Sequence, residues 1–144
     1  MSLIAFDHFN IRAPSALLRT VRYFYIDVIG LTEGPRPDAP VAGHWLYLAD
    51  VPVLHLMEWP DGPQVPDLEK GYMDHIAFSC QDEMAFIDRF DQRAVPFRRR
   101  EFTLPSGEQF LQLTVSDPTG LGVELNFIVP PSESPELANV TSFT

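Results

Sequence analysis

Apolar residues follow two spacings along this chain, and the order of the two spacings repeats once. Ile4 to Arg12 alternates as a β-strand does, and Ala13-Pro14-Ser15 ends the run. Leu17, Leu18, Val21, Phe24, Tyr25, Val28 and Ile29 then recur at helical spacing. Ser15 is placed to cap that helix and Gly30 to stop it. Thr32 to Gly43 is rich in proline, glycine and aspartate and reads as a loop around at most a short strand. His44 to Ala49 and Val53 to Trp59 read as strands joined at Asp50-Val51-Pro52. Pro60 to Gly71 holds three prolines and two glycines and reads as a linker. The order then begins again. A strand over Tyr72 to Cys80 precedes a helix over Asp82 to Arg93, capped by Asp82, with Met84, Ile87 and Phe90 on its inner face. Phe97 to Phe102, Glu108 to Val115 and Gly122 to Val129 supply three further strands, and Asp117-Pro-Thr-Gly makes the last turn.

The repeat sets the candidate chemistry. Asp7-His8 and Asp74-His75 open the two halves 67 residues apart, and each half contributes one more ligand-type residue on its last strand, His55 and Glu124. In Gly122 to Phe127, Val123, Leu125 and Phe127 share one face, so Glu124 points to the other, where an unpaired mid-strand charge is costly. His8 shares its face with Asn10, and His75 shares its face with Ser79; the opposite faces carry apolar residues suited to packing on helices. If the halves pair as a pseudo-twofold sheet, three imidazoles and a carboxylate converge on one concavity, a set that holds a divalent metal. His44 lies at a loop-to-strand boundary with no counterpart in the repeat and is left out. Glu58 lies an odd number of residues from His55 and faces the other way.

Composition narrows the function classes. The 144 residues are 45% hydrophobic and 12% aromatic, enough for one globular domain. A formal net charge of −10 argues against nucleic acid or anionic membrane as partners. The single cysteine, Cys80, excludes an internal disulfide and fits a reducing compartment, and no apolar run reaches membrane-spanning length. The expectation is a cytoplasmic protein that acts on a small molecule.

Phe24-Tyr25-Ile26-Asp27-Val28-Ile29-Gly30-Leu31, Asp74-His75-Ile76-Ala77-Phe78 and Asp117-Pro-Thr-Gly-Leu-Gly-Val-Glu-Leu together resemble the glyoxalase, bleomycin-resistance and extradiol dioxygenase superfamily, the vicinal oxygen chelate proteins. The resemblance runs from about Ile4 to Val129. It implies an α+β fold of two tandem βαβββ modules that form a cupped mixed sheet around a metal site. The modules would span residues 3–59 and 72–129, with a linker at 60–71 and a tail at 130–144. Carried over by position, the ligands are His8, His55, His75 and Glu124, and the ion is iron, nickel, zinc, cobalt or manganese. Glyoxalase-like members usually carry a carboxylate or amide where His55 stands, whereas His8, His75 and Glu124 alone resemble the facial triad of Fe(II) dioxygenases.

The leading expectation is a metal-dependent lyase or isomerase of glyoxalase type, with Glu124 or His55 as the base. Fe(II) ring cleavage and bleomycin-type sequestration of a small molecule are the alternatives. Arg98 and Arg100 share a strand face and are candidates to grip a substrate carboxylate. Trp45, Tyr47 and Asn10 are candidate substrate contacts by strand parity. The two modules can close on each other within one chain, or the halves of two chains can complete each other's sites; a homodimer is expected.

Overall fold

The computed structural model describes residues 3, 5–64 and 72–129. Residues 65–71, inside the expected linker, and 130–144, the expected tail, lie outside the described residues.

The first module is β1 (Phe9–Ala13), α1 (Ser15–Tyr23), a π-helical turn (Phe24–Ile29), β2 (Thr32–Gly34), β3 (Gly43–Leu48) and β4 (Val51–Glu58). The second is β5 (His75–Ser79), α2 (Glu83–Gln92), β6 (Arg98–Thr103), β7 (Gln109–Ser116) and β8 (Gly122–Val129). Each folds as a four-stranded mixed sheet, in the orders β1-β4-β3-β2 and β5-β8-β7-β6. In each, the first and last strands pair in parallel and the remaining pairs are antiparallel. The helix that follows the first strand of each module covers one face, and the other face is left for the site. Among the described residues the two sheets hydrogen-bond separately rather than as one continuous sheet.

Alternation decides what each face buries. Leu54 and Leu56 of β4 and Val123, Leu125 and Phe127 of β8 turn into the core with Val21, Tyr25, Leu46, Phe90 and Leu113. These form one cluster that draws on both modules. Two polar contacts tie the modules together. The Tyr25 hydroxyl donates to Asp117 Oδ2 at 2.7 Å, and the Arg89 guanidinium donates to the carbonyls of Val28 and Ile29.

Several local expectations are corrected. β1 begins at Phe9, because its strand partner among the described residues, β4, pairs with it from Leu54 onward, and residues 5–8 of the expected strand precede it. β5 likewise begins at His75, where its pairing with Gly122 of β8 begins, so Tyr72 and Met73 precede it. Pro14 takes the cap position before α1, and Ser15 is its first residue, with its hydroxyl accepting from Arg19 instead of capping. The helix does not run on uniformly: after Tyr23 it widens, and the Gly30 N–H reaches Tyr25 O five residues back. Gly30 does stop it, at φ 105°. The β3–β4 reversal falls at Ala49-Asp50, and Pro52 lies within β4 before its pairing with β1 begins, where no ladder bond needs its missing N–H. In α2 Met84 is 60% exposed, and Phe86 with Ile87 and Phe90 faces the core. Asp82 caps this helix as expected, accepting from the Ala85 N–H.

Candidate functional site

Each module carries one pair of the expected ligands on the sheet face turned away from its helix. In module one, Asn10, His55 and Trp45 are direct register partners across β1, β4 and β3 and so share a face. His8, one residue before β1, stacks on His55 with ring centroids 3.7 Å apart, and Trp45 stacks on the other side of His55 at 4.0 Å. His55 Nε2 is buried there with no hydrogen-bond partner. Burial, and after it the neighbouring His8, lowers the His55 pKa; Asp7 and the Pro52 carbonyl pull less strongly the other way. His55 is therefore a neutral imidazole with an unpartnered ring nitrogen.

In module two, Glu124 sits on β8 between Ala77 of β5 and Thr114 of β7. His75, two residues along β5 from Ala77, brings its Nε2 to 3.5 Å from Glu124 Oε2. The pair lies in an open concavity of about 480 Å³, whose lining includes Arg98, Thr114 and Ser116. The His75 pKa is raised, first by its hydrogen bond to Asp74 and then by the Glu124 charge.

One local device recurs in both modules. His8 Nδ1 bonds Asp7 at 2.5 Å, and His75 Nδ1 bonds Asp74 at 2.8 Å. A carboxylate only accepts, so Nδ1 carries the proton, and Nε2 of the neutral ring is the lone-pair nitrogen. A carboxylate behind an imidazole in this way orients a metal ligand and raises its basicity. Neither aspartate stood among the expected site residues. The signal was present in the sequence, since an aspartate precedes the first histidine of each half.

The donor chemistry fits a divalent ion: an orphaned buried nitrogen, two histidines with fixed tautomers and a carboxylate. The four side chains form two pairs, however, and among the described residues no three His, Cys, Asp or Glu side chains gather as a metal cluster. The His8–His55 stack adds a restriction. An imidazole donates in its ring plane, and these planes differ by only 19°, so the two rings do not aim at one point as they stand.

The other expected contacts separate. Arg98 reaches the concavity beside His75 and Glu124. Arg100 is the register partner of Gln112, which is in turn the partner of Asn126, one row further along the same face. Arg99 faces α2 and pairs with Glu83. The Tyr47 hydroxyl donates to the Pro35 carbonyl, a loop contact. His44 bonds Glu33, which Arg22 also holds.

With this geometry in hand, comparison with solved structures places the architecture. A glyoxylase/bleomycin resistance protein/dioxygenase domain from Frankia sp. EAN1pec superposes with a TM-score of 0.66 at 17% identity, over 89% of this chain and 94% of that one. A glyoxalase/dioxygenase from Nostoc punctiforme gives 0.64 at 20%, over 89% and 93%. The fold is that of the glyoxalase, bleomycin-resistance and dioxygenase proteins. Enzymes are among those sharing this vicinal oxygen chelate fold, including a lactoylglutathione lyase from Agrobacterium tumefaciens with a TM-score of 0.57 at 18% identity, over 88% and 96%. No protein-family model matches the sequence, and no curated protein matches it. Among the described residues no helix is long and apolar enough to cross a membrane.

Proposed function

We propose that this vicinal-oxygen-chelate-fold protein is a divalent-metal-dependent enzyme of glyoxalase type, a lyase or isomerase acting on a small molecule with neighbouring oxygens. The observation that carries this reading is the His75–Glu124 pair. An imidazole nitrogen and a carboxylate oxygen stand 3.5 Å apart in an open concavity, with the imidazole's other nitrogen already engaged by Asp74. His8 with Asp7 is its counterpart in module one, and His55 adds a buried nitrogen in want of a partner.

His8, His55, His75 and Glu124 would hold the ion, one of iron, nickel, zinc, cobalt or manganese; bound there, it would supply Lewis-acid polarisation of the substrate oxygens. Three neutral imidazoles and one carboxylate bring a single negative charge, so a divalent ion keeps net positive charge toward an anionic oxygen pair. The proton that a lyase or isomerase moves falls to Glu124 if the substrate displaces it from the ion, or to His55 Nε2 if that ring stands off the ion. His55 suits the task because burial keeps it neutral and Trp45 covers one of its faces. Asn10, beside His55 in register, is placed to orient the substrate, whereas Tyr47 is drawn off toward Pro35. The two pairs stand on different sheets, and we infer that they meet across a homodimer. The single cysteine accords with a cytoplasmic setting.

The parallel rings of His8 and His55 favour a second reading. If only one of them joins His75 and Glu124, the set becomes two histidines and a carboxylate, suited to Fe(II) and extradiol ring cleavage.

Elemental analysis of protein purified without added metal or chelator separates these readings. Near-stoichiometric nickel, zinc, cobalt or manganese, lost in His75→Ala and Glu124→Ala with the fold intact, is the outcome expected for the lyase or isomerase. Iron lost in the same variants moves the reading to the dioxygenase. Absence of metal, with none taken up on titration, leaves a small-molecule-binding protein of bleomycin-resistance type. His55→Ala then assigns that residue: lost metal makes it a ligand, and retained metal with lost turnover makes it the base.

A further inference from the structure

Strand register puts an arginine in the same cavity as the His75–Glu124 pair. Direct partners on neighbouring strands project to the same face of a sheet. Glu124 is the partner of Thr114, and Thr114 is the partner of Arg98, so the three form one row across β8, β7 and β6. Two inter-strand spacings separate the ends of that row, about 10 Å. This span leaves room for a small ligand between the Glu124 carboxylate and the guanidinium. The cavity of about 480 Å³ is lined by all three, together with His75 and Ser116.

The charge balance of β6 singles out Arg98. Arg99 points to the other face, where Glu83 and Glu101 neutralise it. The Arg98 side chain has no hydrogen bond or ion pair among the described residues, and Glu124 engages His75 instead. The Asp74 and Glu124 carboxylates line the same cavity, but both engage His75, so the Arg98 guanidinium is left to receive an incoming anion. The Thr114 and Ser116 hydroxyls line the same wall and add neutral donors.

We propose that the substrate carries a carboxylate in addition to the oxygen pair that faces His75 and Glu124, and that Arg98 receives it through a bidentate fork. This rests on the metal-site reading above and names the substrate class for it. A monoanionic carboxylate matches the single guanidinium in charge and in planar shape. A dianionic phosphate would call for a second cation, and Arg100 stands one row away, beside Gln112 and Asn126.

Two hydroxamates test the proposal on cobalt-loaded protein by titration calorimetry. Acetohydroxamate presents vicinal oxygens alone; succinohydroxamate presents the same head with a pendant carboxylate. The native protein is expected to bind the second about tenfold more tightly, as for a charge-assisted bidentate contact in a partly wet site. Arg98→Gln should erase that preference and leave cobalt content and acetohydroxamate affinity unchanged. Arg98→Lys, which keeps the charge and loses the fork, should retain part of it and decides the matter if the glutamine variant folds poorly. Equal affinities in the native protein, or a preference that survives in both variants, overturn the assignment of Arg98. Failure of cobalt-loaded protein to bind acetohydroxamate at all overturns the metal-site reading itself, and the carboxylate subsite falls with it.

Discussion

At the scale of single residues, identical side chains are separated by what stands behind them. His8 and His75 each have an aspartate on Nδ1, His55 has a nitrogen with no partner, and His44 is absorbed into a surface network with Glu33 and Arg22. The first three are the ligands of the proposed site, and the fourth is held in an ion-pair network with Glu33. The Asp74 carboxylate is almost fully exposed, so its removal leaves the packing alone. Asp74→Ala should therefore weaken metal binding by about 10–100-fold without changing the circular dichroism spectrum. A competition titration with a chromophoric chelator measures it, and an unchanged affinity would strip Asp74 of the orienting role. Asp117 was foreseen only as a turn residue. Its buried carboxylate accepts from the Thr119 N–H and hydroxyl and the Leu121 N–H, all local, and from Tyr25, 92 residues distant. Burial, then the Asp117 charge and its hydrogen bond, push the Tyr25 phenol far above its ordinary value, so it remains a donor.

At the scale of elements, register converts strand period into a site. Glu124 stands opposite Ala77 on one side and Thr114 on the other, and a slip of one residue would turn it into the core. The close approach of β8 to β5 at Gly122 holds that register. A Cβ there would lie 2.9 Å from His75 Cβ and 3.1 Å from Asp74 O. Gly122→Ala is thus expected to destabilise the fold by about 1–3 kcal/mol and to push His75 away from Glu124. Denaturant unfolding and metal affinity should fall together; a loss of stability with metal affinity intact would mean that β5 yields without moving the imidazole. The helices were legible to a lesser degree. Period and caps located both, but the widened turn over Phe24–Ile29 and the choice of Phe86 over Met84 as the buried side chain depend on what packs against them.

At the scale of the whole molecule, the two modules share one core and are clasped by Tyr25–Asp117 and by Arg89 on the π-helical carbonyls. The His8–His55 and His75–Glu124 pairs of the proposed site nevertheless remain on separate sheets. β1 and β5, which carry or adjoin His8 and His75, are edge strands of those sheets. A site shared between two copies makes a definite prediction for mixed subunits. A His8→Ala/His55→Ala chain and a Glu124→Ala chain should each retain no metal alone. Refolded together in equal amounts, they form heterodimers with one intact site, and metal should return to about a quarter of the native content. No recovery would place all four ligands within one chain, closed by movement of the modules.

Period-2 and period-3.6 patterning was enough to set out the order of the longer strands and the helices, the twofold repeat and the shared faces of His8 with Asn10, of His75 with Ser79 and of Arg98 with Arg100. These are local consequences of backbone geometry, which a side chain cannot escape without breaking the ladder. Partners distant in the chain were beyond it. Only the tertiary structure decided that Asp117 locks to Tyr25, that His55 is sandwiched between His8 and Trp45, that Tyr47 is spent on Pro35, and that Arg99 is neutralised while Arg98 is not. Each depends on which surfaces the folded chain brings within a few ångströms of each other, and periodicity places a residue on a face without saying what stands opposite that face.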